Sequence, residues 1–212
     1  MKFGTIAVEG PIGVGKTSFV NLLAKKFNAH VVLENLDNPF LQGFYEDQQG
    51  AAFQVQLFFL LSRYRQLQEL EQRDLFQQVT ILDYIFPKDK IFAYLNLDDS
   101  ELLIYDKLYA MLEPQVPQSD MVIFLQAETR TLVERIKRRR RDYEQEISEA
   151  YINEVNKAYN YYFFHYSQTP LLVIDTTSID FVHQSEHLDE LEAQIRKMDR
   201  GVQYYRPLGS SV

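Results

Sequence analysis

The chain carries 212 residues, 46% of them hydrophobic and 25% charged, with a formal net charge of −8 and no cysteine. That length supports one substantial core and one domain. The missing cysteine excludes a disulfide framework, thiol catalysis and cysteine-based zinc sites, and the acidic balance argues against a nucleic-acid binder. No apolar run approaches a membrane span, and the sequence enters a strand with no basic-then-apolar leader. A cytoplasmic protein that engages no membrane is the expectation.

Phe3 to Glu9 is a mostly apolar run of strand length, and Phe19, Leu22, Leu23 and Phe27 recur at helical spacing within Ser18 to Phe27. Between them lies Gly10-Pro11-Ile12-Gly13-Val14-Gly15-Lys16-Thr17. This is the G-x-x-x-x-G-K-[ST] phosphate loop in its strand-loop-helix setting. Glycines allow successive backbone N–H groups to converge on a polyphosphate at a helix N-terminus. Lys16 then reaches the outer phosphates and the Thr17 hydroxyl can ligate Mg²⁺, with Ser18 beside it. Nucleotide binding follows; the identity of the phosphate acceptor does not.

The next strands are His30 to Glu34 and Gln78 to Asp83, each ending on a carboxylate. Between them, 35–49 is polar and broken by Pro39 and Gly43, a loop with a short helix. Residues 51–73 have a long helical pattern with Phe53, Leu57, Leu60, Leu61, Tyr64, Leu67 and Leu70 on one broad face. The spacing predicts helices over 88–94 and 100–112, the latter closed by Pro114. A strand over 121–126, helices over 129–141 and 148–166, a fifth strand over 171–175 and a last amphipathic helix over 186–198 complete the pattern. The tail from Gly201 is weakly patterned and is expected to be flexible. Strands alternating with helices predict an α/β fold, with a five-stranded parallel sheet covered by helices on both faces. Ligands of such sheets bind beyond the carboxyl ends of the strands.

Two constellations go beyond the loop. Glu34 and Asp83 end strands that should neighbour it. An alcohol acceptor needs a base or hydrogen-bond acceptor to align its hydroxyl, and Mg²⁺ on the donor can be held by a carboxylate at the next strand end. The plainer alternative is two acids capping turns. The second constellation is Arg135 with Lys137-Arg138-Arg139-Arg140-Arg141, flanked by Glu134, Glu144 and Glu146. An arginine-rich lid over 135–148 suits the charge that spreads over a transferring phosphoryl group. A solvated charged helix end and a nucleic-acid patch are the alternatives.

The phosphate loop, Glu34, Phe53-Gln54-Val55-Gln56 running to Ser62-Arg63, and Glu134-Arg135 through Arg139, Arg141 and Glu144-Gln145 together resemble the deoxynucleoside kinase family. The resemblance is above all to its bacterial deoxyadenosine, deoxyguanosine and deoxycytidine kinase branch, and covers Lys2 to about Phe181. It implies a P-loop kinase fold and transfer of the γ-phosphate of ATP, or another nucleoside triphosphate, to the 5′-hydroxyl of a deoxyribonucleoside in nucleotide salvage. A purine deoxynucleoside or deoxycytidine is the implied acceptor. By position, Glu34 matches the base, Gln56 and Arg63 the readers of the nucleobase edge, with Gln54 as the alternative to Gln56. Tyr45 matches the tyrosine on the sugar 3′-hydroxyl and Glu144 its lid partner. Asp89 matches the acid that works with the arginine, and Arg135, Asp180 and Phe181 the surroundings of the donor base. Arg139 and Arg141 match the phosphate clamp. A homodimer is also implied. The sequence departs from the family where an arginine usually follows the acid: it reads Asp83-Tyr84-Ile85. Either another cation, Lys88 or Lys90, substitutes, or turnover is reduced. A nucleoside monophosphate kinase and a kinase-derived protein that has lost turnover remain as alternatives.

Overall fold

The computed structural model describes residues 2–46, 48–73, 79–139, 147–179, 181 and 185–206. Its strands are β1 (Thr5–Glu9), β2 (His30–Val32), β3 (Thr80–Leu82), β4 (Met121–Gln126), β5 (Leu171–Asp175) and β6 (Val202–Tyr205). Its helices are α1 (Lys16–Phe27), α2 (Leu41–Tyr45), α3 (Ala51–Arg73), α4 (Lys88–Asn96), α5 (Asp99–Leu112), α6 (Thr129–Arg139), α7 (Glu149–Phe164) and α8 (Ser185–Lys197). The strands form one sheet in the order β2-β3-β1-β4-β5-β6, and every pairing is parallel.

The apolar strand runs are continuous because both faces of the sheet are covered. Ile6 and Val8 of β1, with Met121, Ile123 and Leu125 of β4, meet Phe19, Leu23, Leu132, Ile136, Leu191 and Ile195 on one face. Ala7, Leu82, Val122, Phe124 and Val173 point the other way, onto Leu60, Ile91, Tyr105, Tyr109, Tyr159 and Phe163. The second layer is rich in rings: Phe124 stacks on Phe163 with centroids 4.2 Å apart.

Where the sequence predicts five strands, six are present. Val202–Tyr205 adds to the β5 edge with Leu171 opposite Val202 and Ile174 opposite Tyr205. It carries no apolar run and is largely exposed, so the pairing rests on backbone hydrogen bonds that composition does not reveal. Residues 207–212 of the tail lie outside the described residues. β2 stops at Val32, leaving Leu33 and Glu34 to leave the sheet.

The chain order places β1 between β3 and β4, so the connections leaving β1 and β4 turn to opposite sides of the loop. This switch point opens a crevice at the carboxyl end of β1. The register brings Glu9 and Asp83 to that rim, since Ala7 pairs with Leu82. Replacing Phe124 with alanine would remove the ring that Phe163 and Tyr159 flank. The expected cost is about 3–5 kcal/mol, lowering the melting temperature by roughly 10 °C; a thermal melt within about 2 °C of wild type would contradict this packing.

Candidate active site

The loop after β1 is shaped by backbone that only glycine adopts easily. Gly13 and Gly15 have φ of 85° and 102°. A Cβ on Gly13 would lie 2.7 Å from Ile136 Cγ1 and 2.8 Å from the Leu132 carbonyl, so α6 is pressed against the loop. α1 begins directly at Lys16, aiming the free N–H groups of its first turn at the crevice. The Lys16 ammonium donates to the Gly10 carbonyl at 2.6 Å and the Pro11 carbonyl at 3.4 Å. Burial, then the charge of Lys88, bring its pKa down to about 8. The Thr17 hydroxyl donates to Asp83 Oδ2 at 3.2 Å. Ser18 and Phe181 line the same crevice, with the Phe181 ring against Phe19 at 5.2 Å.

Arg135 fastens the far wall. It donates to the Val14 carbonyl at 3.2 Å and to the Thr176 carbonyl at 2.7 Å, tying α6 to the loop and to the end of β5. Arg138 and Arg139 also line the crevice from α6. Arg141, Glu144 and Asp180 lie outside the described residues, as do 140–146 of the expected lid.

Opposite the loop, four carboxylates and two cations are interleaved. Asp83 accepts the Glu34 backbone N–H at 2.6 Å. Glu34 Oε1 accepts Arg63 Nε at 3.0 Å and also Nη2, and Oε2 accepts the Lys88 ammonium at 2.6 Å. Arg63 reaches on to Asp89, whose second oxygen accepts the Tyr105 hydroxyl at 2.9 Å. Glu9 is fully buried and accepts the Gly10 and Ile85 N–H groups, each at 3.0 Å. It thereby ties the start of the loop to the segment leaving β3.

Burial alone would favour the neutral form of Glu34. Lys88 and Arg63 override it and hold the carboxyl far below the usual carboxylate range. Glu9 and Asp83 are pushed up, chiefly by burial. Burial also raises the Tyr159 hydroxyl strongly, with the Glu9 and Glu34 charges adding to the effect.

One cavity of about 550 Å³ runs from the loop to this network. Its walls bring together Lys16, Thr17, Glu34, Tyr45, Gln56, Arg63, Asp83, Arg135 and Arg139, all named from sequence. Gln56 is buried against the cavity, while Gln54 is exposed, so α3 turns only one of the two glutamines inward. Gln56 Oε1 has no hydrogen-bond partner among the described residues. Asp89 is completely buried and stands behind Arg63 rather than in the wall. Tyr84 is also buried and turned away, its hydroxyl on Gln66 at 2.8 Å. Of the two lysines offered in place of an arginine there, Lys88 joins the network and Lys90 lies over the Tyr109 ring at 4.2 Å.

Sequence reasoning places Glu9 at a strand end on the loop side but misses its bridging contacts, and it misses the aromatic wall of Phe44, Phe92, Tyr151 and Tyr159 and the Tyr105 support of Asp89. Glu9 carried a weak signal, a charged residue closing an apolar run directly before the loop.

Comparison with known proteins followed the same direction. A family model described as deoxynucleoside kinase matches residues 6–199. The deoxyguanosine kinase of Bacillus subtilis (strain 168) is 32% identical, over 91% of this chain and 96% of its own. The deoxyadenosine/deoxycytidine kinase of the same organism is 28% identical over 92% of both chains. The solved deoxyadenosine kinase from M. mycoides, with dCMP and a flexible dCDP bound, aligns with a TM-score of 0.80 at 25% identity. It covers 92% of this chain and 100% of that one.

Glu9 yields a pH-dependent prediction. Its folded-state pKa lies above the unfolded value, so its contribution to stability is greatest at low pH and falls as pH rises past about 4.5. Glu9→Gln removes this titration. Whatever its constant offset, the variant should gain on wild type as denaturant melts move from about pH 4 to about pH 7; a difference independent of pH would refute the assignment.

Proposed function

The chain belongs to the deoxynucleoside kinase family and phosphorylates deoxynucleosides, and on that footing we propose how its residues divide the work. A nucleoside triphosphate, ATP in the first instance, lies in the loop with its phosphates against the α1 N-terminus, Lys16 and Arg139. The deoxyribonucleoside lies in the opposite half of the cavity with its 5′-hydroxyl on Glu34. The observation that carries this reading is the shared cavity: the Lys16 loop and the Glu34 carboxylate open onto the same space. As the O5′–P bond forms, the bond from the γ-phosphorus to the β,γ-bridging oxygen breaks and the hydroxyl proton passes to Glu34, leaving a nucleoside diphosphate.

The donor side fits Mg²⁺. Thr17 Oγ1 and Asp83 Oδ2, 3.2 Å apart, would supply two hard oxygens of the kind the ion prefers. When bound, the ion neutralises charge on the β- and γ-phosphates.

On the acceptor side, Gln56 offers an amide with an unpartnered oxygen that can accept from an exocyclic amine, beside the Arg63 guanidinium. This favours a purine deoxynucleoside or deoxycytidine over thymidine. Tyr45 is assigned to the sugar, and Arg135 and Phe181 to the donor base. Arg141, Glu144 and Asp180 keep the roles that the resemblance implies for them. A monophosphate acceptor is disfavoured because Arg63 and Lys88, on the acceptor side, are committed to Glu34 and Asp89 rather than turned to a second phosphate. A non-catalytic descendant is disfavoured by a Glu34 that is ionised and directed into the cavity.

We further read the chain as one domain acting in the cytoplasm as a homodimer. Support for a subunit contact comes from Leu103, Ile104 and Met111, all exposed on α5. Among the described residues no helix is long and apolar enough to cross a membrane.

A phosphorylation panel with ATP, Mg²⁺ and the four common deoxyribonucleosides, with their 5′-monophosphates alongside, tests the reading. Turnover of deoxyadenosine, deoxyguanosine or deoxycytidine is expected; turnover of monophosphates alone would refute it. Glu34→Ala should abolish turnover while leaving ATP affinity within about threefold. Because burial lowers the Lys16 pKa to about 8 and polyphosphate binds its protonated form, the ATP Kd should rise roughly tenfold from pH 7 to pH 9. A flat profile by calorimetry would show that Lys16 does not titrate there.

A further inference from the structure

Lys88 occupies a costly place. It is 5% exposed and is the first residue of α4, directly after Pro87. A buried ammonium is poorly solvated, and a cation at a helix N-terminus opposes the helix dipole. Glu34 already has a buried cation on Oε1, since Arg63 contacts that oxygen through two nitrogens. Arg63 is also paired with the buried Asp89, so Lys88 is the cation that completes the charge balance of Glu34, and it does so from the other oxygen.

The lone pairs indicate what Lys88 adds. A carboxylate has about four acceptor positions. Arg63 Nε and Nη2 take two on Oε1, and Lys88 takes one on Oε2. The remaining position is on Oε2, beside the Lys88 ammonium. Lys88 lines the same cavity as Lys16, Thr17 and Glu34, so its ammonium faces the space that donor and acceptor share. The residue directly after Asp83 supplies no cation there, because Tyr84 is buried and bonded to Gln66.

We propose that Lys88 is a positioning residue of phosphoryl transfer. Held on Glu34 Oε2, it directs the remaining acceptor position of that oxygen toward the incoming 5′-hydroxyl and sets a positive charge beside the transferring phosphoryl group. The inference rests on the kinase reading above. Lys88 contacts Glu34 and lies over the Phe92 ring on its own helix, and it lines the cavity with Lys16 of α1, Arg63 of α3, Asp83 after β3 and Tyr159 of α7.

Steady-state kinetics of Lys88→Met and Lys88→Arg with ATP, Mg²⁺ and the best deoxynucleoside acceptor of the wild type test it. For Lys88→Met, kcat should fall about 100- to 1,000-fold, with the nucleoside KM and the ATP Kd each changed less than about threefold. Lys88→Arg should recover at least about tenfold of the loss. A Lys88→Met enzyme within about threefold of wild-type kcat, or one whose loss lies in the nucleoside KM instead, overturns the proposal while leaving the kinase reading intact. So does a Lys88→Arg enzyme as slow as Lys88→Met. Should Lys88→Met fail to fold, Lys88→Arg decides alone: a kcat within about tenfold of wild type supports the proposal and a loss beyond about 100-fold overturns it. A wild type that turns over no deoxynucleoside overturns both.

Discussion

The site depends on one carboxylate held between two buried cations. Glu34 is only 10% exposed at its side chain, and removing such a group from water costs several kcal/mol unless its lone pairs are met. Arg63 on one oxygen and Lys88 on the other meet most of them, and Asp89, supported by Tyr105, holds Arg63 in turn. The result is an anion whose orientation is fixed before any ligand arrives. Strong cation pairing also weakens Glu34 as a base. That suits a loose phosphoryl-transfer transition state, in which aligning the hydroxyl matters more than removing its proton early.

The fold delivers this network through sheet order. Because β1 lies between β3 and β4, the loop, the end of β3 and the segment leaving β2 converge at one rim. Glu9 joins two of these with its carboxylate oxygens, so the donor and acceptor halves share a rigid joint. The helices contribute by layer: α1 and α6 shape the loop from one face, and α3, α4 and α7 build the acceptor wall from the other.

Much of this was legible in the sequence, for identifiable reasons. The phosphate loop is read from local chemistry alone, and the strands from apolar runs that double-sided burial makes continuous. The 23-residue helix α3 spans the same residues in both readings, because its apolar face is long and uninterrupted. Gln56 and Arg63, seven apart on that helix, share its inward face as helical geometry requires. What stayed hidden depends on contacts distant in sequence. β6 is an exposed edge strand with no apolar signature. The separation of Lys88 from Lys90 follows from where α4 begins, and two residues along a helix point in different directions. Asp89 is adjacent to Lys88 in sequence, yet one side chain lines the cavity and the other is sealed behind Arg63.

The central claim is that a triphosphate on Lys16 and an uncharged sugar alcohol on Glu34 occupy one cavity end to end. The most direct measurement is calorimetric binding of a bisubstrate ligand, adenosine joined 5′ to 5′ with deoxyadenosine through an oligophosphate bridge. The account predicts one site per chain, competition with both ATP and deoxynucleoside, and an affinity at least about 100-fold above that of ATP alone. A ligand that competes with ATP but leaves deoxynucleoside binding untouched, or binds no more tightly than ATP, would contradict it.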